Sequence, residues 1–282
     1  MADTQNEIYA QAYGQNIMQL AQQKYSKLLP TVYLKPNVRG KTFFQDQIGE
    51  WEMATKGGRN VTTPNNDPNL SRRMGVMLDY HDNRMLDRGD ELKCISDPRS
   101  AYTIAAARSL GRKLDDVIIA AAVSTTTASG ETGSTTAPTT ATILASASTF
   151  TLAKVVEAKQ ALDESDVEME DRFLIVDVES LNTAIQIEQF SSADYNTLKA
   201  LVRGELDTFL GFKWIMSTRL SEQTNLIALA YQKYALCLAM ASSPLVRTDE
   251  RSDLSYSWQI YYELNCGAVR LEESRIRKLI EG

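Results

Sequence analysis

A single histidine, His81, stands in 282 residues, and this scarcity removes most imidazole chemistry at once. Any Ser-His-Asp or Cys-His nucleophile would have to be built on His81, and no Gly-x-Ser-x-Gly turn is present to partner it. Cysteine is scarce too. Cys94, Cys237 and Cys266 form no CxxC spacing, so neither a disulfide framework nor a thiolate zinc site is expected, and all three are read as reduced and structural. The apolar runs at 117–123 and 226–241 are short or broken by Gln232 and Lys233, below the ~20 residues a membrane span needs. The N-terminus is acidic and polar, unlike a secretory signal. The chain is therefore expected to be soluble, not exported, and to work without a membrane. A phosphate-binding loop is excluded as well: Gly40-Lys41-Thr42 has its ending, but the glycine required five positions earlier is Lys35.

Charge of one sign is also lacking as a block. Residues 1–128 carry 16 basic and 14 acidic groups, residues 129–282 carry 14 and 22, and the net charge is −6. Such a balance disfavours wholesale nucleic-acid binding through a basic patch, while leaving room for a weakly basic face. The 43% hydrophobic content belongs to a folding, globular chain long enough for one large or two modest domains.

What is present is a series of distinct patterns. Tyr9, Tyr13, Ile17 and Leu20 fall on one face of a helix expected over 5–29 and ending at Pro30, docked either on its own core or on a neighbouring subunit. Residues 31–79 change character, with extended runs at 31–34 and 41–44, scattered glycines, and a polar stretch at 62–70 holding Pro64 and Pro68. About 50 residues without a core of their own suggest a long projecting hairpin, the alternative being ordinary edge strands of a sheet.

A helix is expected next over 98–122, roughly 38 Å long at about 1.5 Å per residue. Its apolar face is read as Thr103, Ala107, Leu110, Leu114, Val117 and Ala121, with Asp97 as N-cap and Pro98 at the first position. Arg108, Arg112 and Asp115 are placed on another, solvated face. The Thr/Ser/Gly-rich stretch 124–142 reads as a loop or linker. Beyond it the pattern is mixed: helices at 151–164 and 181–187, strands at 173–176, 212–216 and 226–230, and closing strands at 256–264 and 268–280 about a hairpin or corner at Gly267.

Two acidic clusters invite a metal reading. Asp79, His81, Asp82, Asp87, Asp90 and Glu91 would suit a hard cation by oxygen content, but their spacing is not an EF-hand's, and pairing with Arg84, Arg88 and Lys93 is the plainer account. Asp163, Glu164, Asp166, Glu168, Glu170 and Asp171 read as a solvated loop between a helix and a strand. No catalytic, cofactor-binding or metal-binding residue is nominated.

Three stretches taken in order resemble a known family. They are Leu78-Asp79-Tyr80 through Asp97-Pro98-Arg99-Ser100, continued by Ser109-Leu110-Gly111-Arg112-Lys113-Leu114-Asp115 and Ile118-Ile119-Ala120-Ala121; then Ser192-Ala193-Asp194-Tyr195-Asn196, Leu201-Val202-Arg203-Gly204, Gly211-Phe212-Lys213-Trp214 and Ser217; and finally Asn265-Cys266-Gly267-Ala268-Val269-Arg270. Together they resemble the tailed-phage major capsid proteins of the Hong Kong 97 fold. The resemblance implies an α+β fold with an N-terminal arm (1–30), an extended loop (31–79), and a peripheral domain with a long spine helix and a following flexible loop (80–142). It also implies a mixed α/β axial domain (143–242) and closing strands shared between the two domains (243–282). It implies a non-enzymatic shell subunit, a homo-oligomer of pentamers and hexamers, assembled in the host cytoplasm into a virion capsid. The expected partners are a separate scaffolding protein, a portal, and packaged double-stranded DNA on the inner face, near Arg108, Arg112 and Lys113. Lys56 lies in the loop that some members cross-link, but no partner motif accompanies it. An encapsulin-like compartment shell is the nearest alternative. A small-molecule enzyme and a tail or surface-layer component are more distant.

Overall fold

The computed structural model describes residues 21–63, 65, 67–87, 99–124, 128–130, 132, 135–136, 141–145, 150–186, 208–220, 226–242 and 244–281. Its strands are β1 (Tyr33–Lys35), β2 (Thr42–Ile48), β3 (Leu70–Val76), β4 (Leu78–Leu86), β5 (Ala128–Ser129), β6 (Thr135–Thr136), β7 (Ala141–Ala145), β8 (Arg172–Val176), β9 (Thr208–Phe209), β10 (Phe212–Met216), β11 (Leu226–Gln232), β12 (Leu236–Met240), β13 (Leu245–Arg251), β14 (Ser257–Arg270) and β15 (Ile276–Glu281). The helices are α1 (Arg99–Val123), α2 (Leu152–Asp163) and α3 (Val178–Gln186). Two compact units result, one holding Asp79–Gly111 and Ser243–Leu264, the other Ser26–Leu78, Arg112–Ser242 and Asn265–Gly282.

The larger unit is organised by a six-stranded mixed sheet in the order β7-β15-β11-β8-β10-β9. Every residue of β8 and β11 is buried, which is why Phe173–Val176 and Leu226–Tyr231 read as unbroken apolar runs instead of alternating ones. On one face Leu174, Val176, Ala228 and Ala230 pack with Val155, Ala158 and Leu162 of α2. The two-residue period sends Phe173, Ile175, Leu229 and Tyr231 to the other. There the Tyr231 hydroxyl lies 2.6 Å from Thr31 Oγ1, and burial pushes its pKa upward.

Two buried arginines close the C-terminal end of α2, where carbonyls lack helical partners. Arg277 donates to Ala161 O and Ser165 Oγ, both at 3.0 Å. Arg172 donates to Val167 O and Glu168 O and pairs with Asp163. Asp171 pairs with Lys213 at 2.8 Å. The acidic run 163–171 is the expected loop, yet Asp163 is recruited by the buried Arg172 and Asp171 by the half-exposed Lys213 instead of both being simply solvated.

In the smaller unit β13 runs antiparallel to β14 from Leu245↔Glu263 to Arg251↔Ser257, and β4 also pairs with β14. Ile260, Tyr262 and Leu264 alternate inward, and Ala106 and Leu110 of α1 are buried in the same unit. Tyr262 donates its hydroxyl to Asp82 at 2.6 Å. That bond, with help from Asn83 N–H and Arg84, holds the Asp82 carboxyl below its usual range.

Several expectations change on contact with the structure. The N-terminal helix does not reach residue 29: residues 21–28 are irregular and Leu29–Thr31 form one 3-10 turn at Pro30, while residues 1–20 lie outside the described residues. The reason is a carboxylate. Asp115 is fully buried and accepts hydrogen bonds from Ser26 Oγ (2.6 Å), Lys27 N (3.1 Å) and Leu28 N (3.2 Å), so those amides serve α1 and not a helix of their own. Asp115 was expected on a solvated face; the buried stripe of α1 is instead Ala106, Leu110, Leu114, Asp115, Ile118, Ile119 and Ala122, and Ala107 is exposed. Lys27 Nζ donates to Met216 O at 2.8 Å, and Arg219 grips Asp116 with two bonds of 2.7 and 2.8 Å. Asp97 and Pro98, the expected start of α1, lie outside the described residues.

Gly267 is not a corner. β14 runs unbroken through it, because a Cβ there would sit 2.2 Å from Val76 O: the glycine permits a close backbone approach. The chain turns instead between Arg270 and Ile276. The stretch 124–142 is not a bare linker either, since β5 and β6 extend the sheet of β2 and β3 and β7 joins β15 in parallel.

Candidate assembly surface

Within the segment 31–79 only Thr42–Val76 form a hairpin, with a firm root and an exposed tip, while β1 is an edge strand paired in parallel with β12. β2 and β3 pair over seven residues, from Thr42↔Val76 to Ile48↔Leu70, and Gly49 N continues the ladder to Asn69 O at 2.7 Å. Asp46 stands opposite Arg72, which binds it through Nε and Nη2 and also lies 5.5 Å above the Phe44 ring. The Arg72 hydrogen bond keeps the Asp46 carboxyl below its usual range.

The root was expected to lack a core, and here the expectation fails. Phe43 and Met77 are buried with Cys237, Ala239, Val269 and Leu271, and Tyr33 and Val38 pack against them. Burial raises both the Cys237 and Cys266 thiols to about 11, so neither is poised to react at neutral pH. Phe43 lies over Gly75, where a Cβ would meet its ring at 2.2 Å. Arg73 reaches out of β3 to Leu271 O (2.9 Å) and Glu273 (2.8 Å). Glu273 also accepts from Arg270 at 3.4 Å, and the fully buried Arg270 donates to Ser124 O, just past the end of α1, at 2.7 Å. Desolvation pulls the Arg270 pKa down from its ordinary value, opposed by Glu273.

The tip is different. Ile48 is 74% exposed, Trp51 70%, Met53 98% and Leu70 70%. A groove of about 710 Å³ runs beside Ile48 and Leu70, lined also by Arg72, Arg73, Ser129 and Gly130. Large apolar side chains held in water on a braced projection mark a contact surface better than they mark a fold.

Other residues singled out in the sequence are scattered. Lys41 O accepts from Met77 N at 2.9 Å, so the Gly40-Lys41-Thr42 backbone belongs to the ladder and does not cradle a phosphate. His81 is exposed with its ring 6.5 Å from Tyr261, and Asp82 turns to Tyr262. Arg84 lies 3.5 Å from Asp82; Arg88, Asp90, Glu91, Lys93 and Cys94 lie outside the described residues. Among the described residues no group of three or more His, Cys, Asp and Glu side chains converges as a metal site would require. Lys56 stands in the exposed tip. Sequence reading missed Asp115, the Arg73–Glu273–Arg270 chain and the β5 brace. Only Asp115 left a signal, an acid lying on the stripe Leu114, Ile118, Ile119 and Ala122.

Comparison with known proteins agrees with this geometry. The phage capsid protein family matches residues 6–279. No curated protein matches the chain by sequence. Among solved structures the chain is similar to the capsid of the cyanophage P-SCSP1u, with TM-score 0.77 and 15% identity over 98% of this chain and 94% of that one. It is similar to a Mycobacterium phage Che8 chain, with TM-score 0.75 and 14% identity over 97% of each. The cyanophage Pam1 capsid follows with TM-score 0.74 and 12% identity over 100% of this chain and 99% of that one. At such identities these likenesses show the fold, and it is the α+β, Hong Kong 97-like one.

Proposed function

The chain belongs to the phage capsid protein family, a major capsid protein whose copies build the virion shell, and from that premise we propose that the hairpin over residues 42–76 is how each copy holds the next. The observation that carries this is the contrast within the hairpin. Arg73, Phe43 and Gly75 fix its root, while Ile48, Trp51 and Met53 project into water, uncovered by any of the described residues. Burying such side chains against a neighbour is worth about 1.5–3 kcal/mol each, and a shell repeats that contact in every copy.

In this reading residues 80–142 act as the peripheral domain, 143–242 as the axial domain, and 243–282 as strands shared by both. Pentamers and hexamers close around a separate scaffolding protein and a portal in the host cytoplasm. Double-stranded DNA lies against the inner face, where Arg108, Arg112 and Lys113 pair weakly with phosphates, so that reversing all three charges lowers DNA retention. No catalytic step is assigned. The family match favours a phage shell over an encapsulin-like compartment.

Replacing Ile48, Trp51 and Met53 together with serine tests the hairpin's role. The isolated subunit is expected to melt within ~2 °C of the parent, since exposed positions contribute little to stability. Electron micrographs are expected to show no closed shells. Shells at the parent yield would overturn the proposal.

A further inference from the structure

The hairpin is held where it leaves the larger unit, and its ties meet at one level. On the β2 side Lys35 donates its Nζ to Phe44 O at 2.7 Å and to Gln45 Oε1 at 3.3 Å. On the β3 side Arg73 donates Nε to Leu271 O at 2.9 Å and Nη2 to Glu273 Oε2 at 2.8 Å. Gln45 and Arg73 are partners in the ladder, and Ser129 of β5 also stands opposite Arg73. Everything past this level is lever. From Gln45 to Gly49 the strand rises about 13 Å, so a tilt of about 10° at the ties moves Gly49 by about 2 Å.

Glu273 differs from the other ties. Its second oxygen, Oε1, accepts from Arg270 Nε at 3.4 Å, so one carboxylate stands between two guanidiniums. Arg73 and Glu273 have 12% and 16% of their side chains exposed and Arg270 none, too little water for the screening an open surface provides. Desolvation lowers the Arg270 pKa, Glu273 opposes that, and the charge of Arg73 adds to the lowering, so the two arginines repel across the carboxylate. Arg270 also donates to Ser124 O at 2.7 Å and has no room to withdraw. The Glu273 backbone is fixed in turn, its carbonyl accepting from Ile276 N at 3.3 Å and Arg277 Nη1 at 3.1 Å. Among the described residues Glu273 is the only carboxylate paired with Arg73. Losing Lys35 would remove an attraction; losing Glu273 turns an attraction into a repulsion. Arg73, on the lever, is then the member that moves.

We propose that Glu273 is a positioning residue for assembly: by holding Arg73 against the buried Arg270 it sets the angle at which the β2–β3 hairpin leaves the subunit, and with it the curvature at which copies close. A heterologous contact closes only when it is made at the right rotation, and a changed rotation gives a different diameter or an open sheet. Glu273 itself touches no neighbouring copy in this account and acts through Arg73. The inference rests on the hairpin's role in assembly.

Shell diameter against shell yield, measured by electron microscopy for the parent, Glu273→Gln and Arg73→Gln, tests it. A residue that only stabilises the fold lowers the yield at the parental diameter, whereas a positioning residue changes the diameter. The pairs 41–77 and 49–69 are hydrogen-bonded, and antiparallel alternation makes 47–71 the same, so the Gln47 amide reports on the hairpin itself. In the Glu273→Gln subunit that amide should exchange as in the parent. Its particles should spread at least ~2-fold more widely in diameter, with open sheets among them. Arg73→Gln frees the lever without leaving two facing cations, should broaden the distribution less, and decides the matter if Glu273→Gln yields no soluble subunit. The double variant should match Arg73→Gln, because Glu273 acts through Arg73. Particles of parental diameter, at any yield, would overturn the inference, as would variants that give only dispersed or unfolded subunits. Parent-like shells from the serine variant of Ile48, Trp51 and Met53 would instead remove the hairpin reading, and a parent that forms no closed shells would remove the shell reading.

Discussion

Replacing Asp115 with alanine is expected to lower the melting temperature of the isolated subunit by about 10 °C. The carboxylate is fully buried and receives Ser26 Oγ and the amides of Lys27 and Leu28. Removing it strands the buried Leu28 amide, the part-buried Lys27 amide and a hydroxyl. Losses of this kind cost about 1–3 kcal/mol per group and combine to about 3–5 kcal/mol. At ~2–4 °C per kcal/mol for a chain of this size, the shift follows. Asp115→Asn keeps one acceptor oxygen and should lose roughly half as much. Exchange of the Leu28 amide should accelerate with either change. Parent-like melting of the alanine variant would mean that residues 26–31 are held by packing alone.

Gly267→Ala should have a larger effect still. The added Cβ would lie 2.2 Å from Val76 O, 3.0 Å from Val76 C and 3.3 Å from Met77 Cα. All three are backbone atoms, so no side chain can swing aside. Both strands are also pinned, Gly267 opposite Ala239 and Met77 by its bond to Lys41 O. A clash that neither partner can relieve belongs with the rare substitutions costing upwards of ~4 kcal/mol. Little soluble subunit is expected at 37 °C, and what remains should exchange its Met77 amide rapidly. Gly57→Ala, at a tip position with nothing within 4 Å, is the silent control. A soluble Gly267→Ala subunit with parent-like melting would show that the approach of Val76 to β14 is not tight in solution.

The same two residues show where the sequence was readable and where it was not. Strands β8, β10 and β11 and helices α1 and α2 follow from continuous apolar runs and a 3.6-residue period, since their environment is set by local pattern. Asp115 escaped because a wheel sorted by polarity sends every carboxylate outward. What buries this one is a segment almost ninety residues earlier in the chain. Gly267 was read as a turn because a lone glycine between apolar runs has two meanings, a bend or a close approach, and only the position of Val76 distinguishes them. The brace β5–β6 was hidden in a Thr/Ser-rich stretch without periodicity; its threonines suit a strand, but the strand exists only because the edge of β3 is there to pair with.

The assembly surface was half legible. Glycines, prolines and the absence of a helical period marked residues 31–79 as a projecting hairpin; β2 and β3 form a hairpin within it, while Tyr33–Lys35 pair with β12 as an edge strand. Its firm root was not foreseen, because Phe43, Arg73 and Gly75 acquire meaning only beside Leu271, Glu273 and each other. The second stretch of the family resemblance falls partly at residues 192–204, outside the described residues. The shell role was carried by the ordered resemblance along the chain, with periodicity supplying the elements independently.

Electron microscopy of the purified chain, expressed alone and with a co-encoded scaffold candidate, tests the central claim most directly. Closed polyhedral shells tens of nanometres across, built of pentamers and hexamers, are the predicted result. Dispersed subunits under both conditions, or open tubes and sheets, would contradict it.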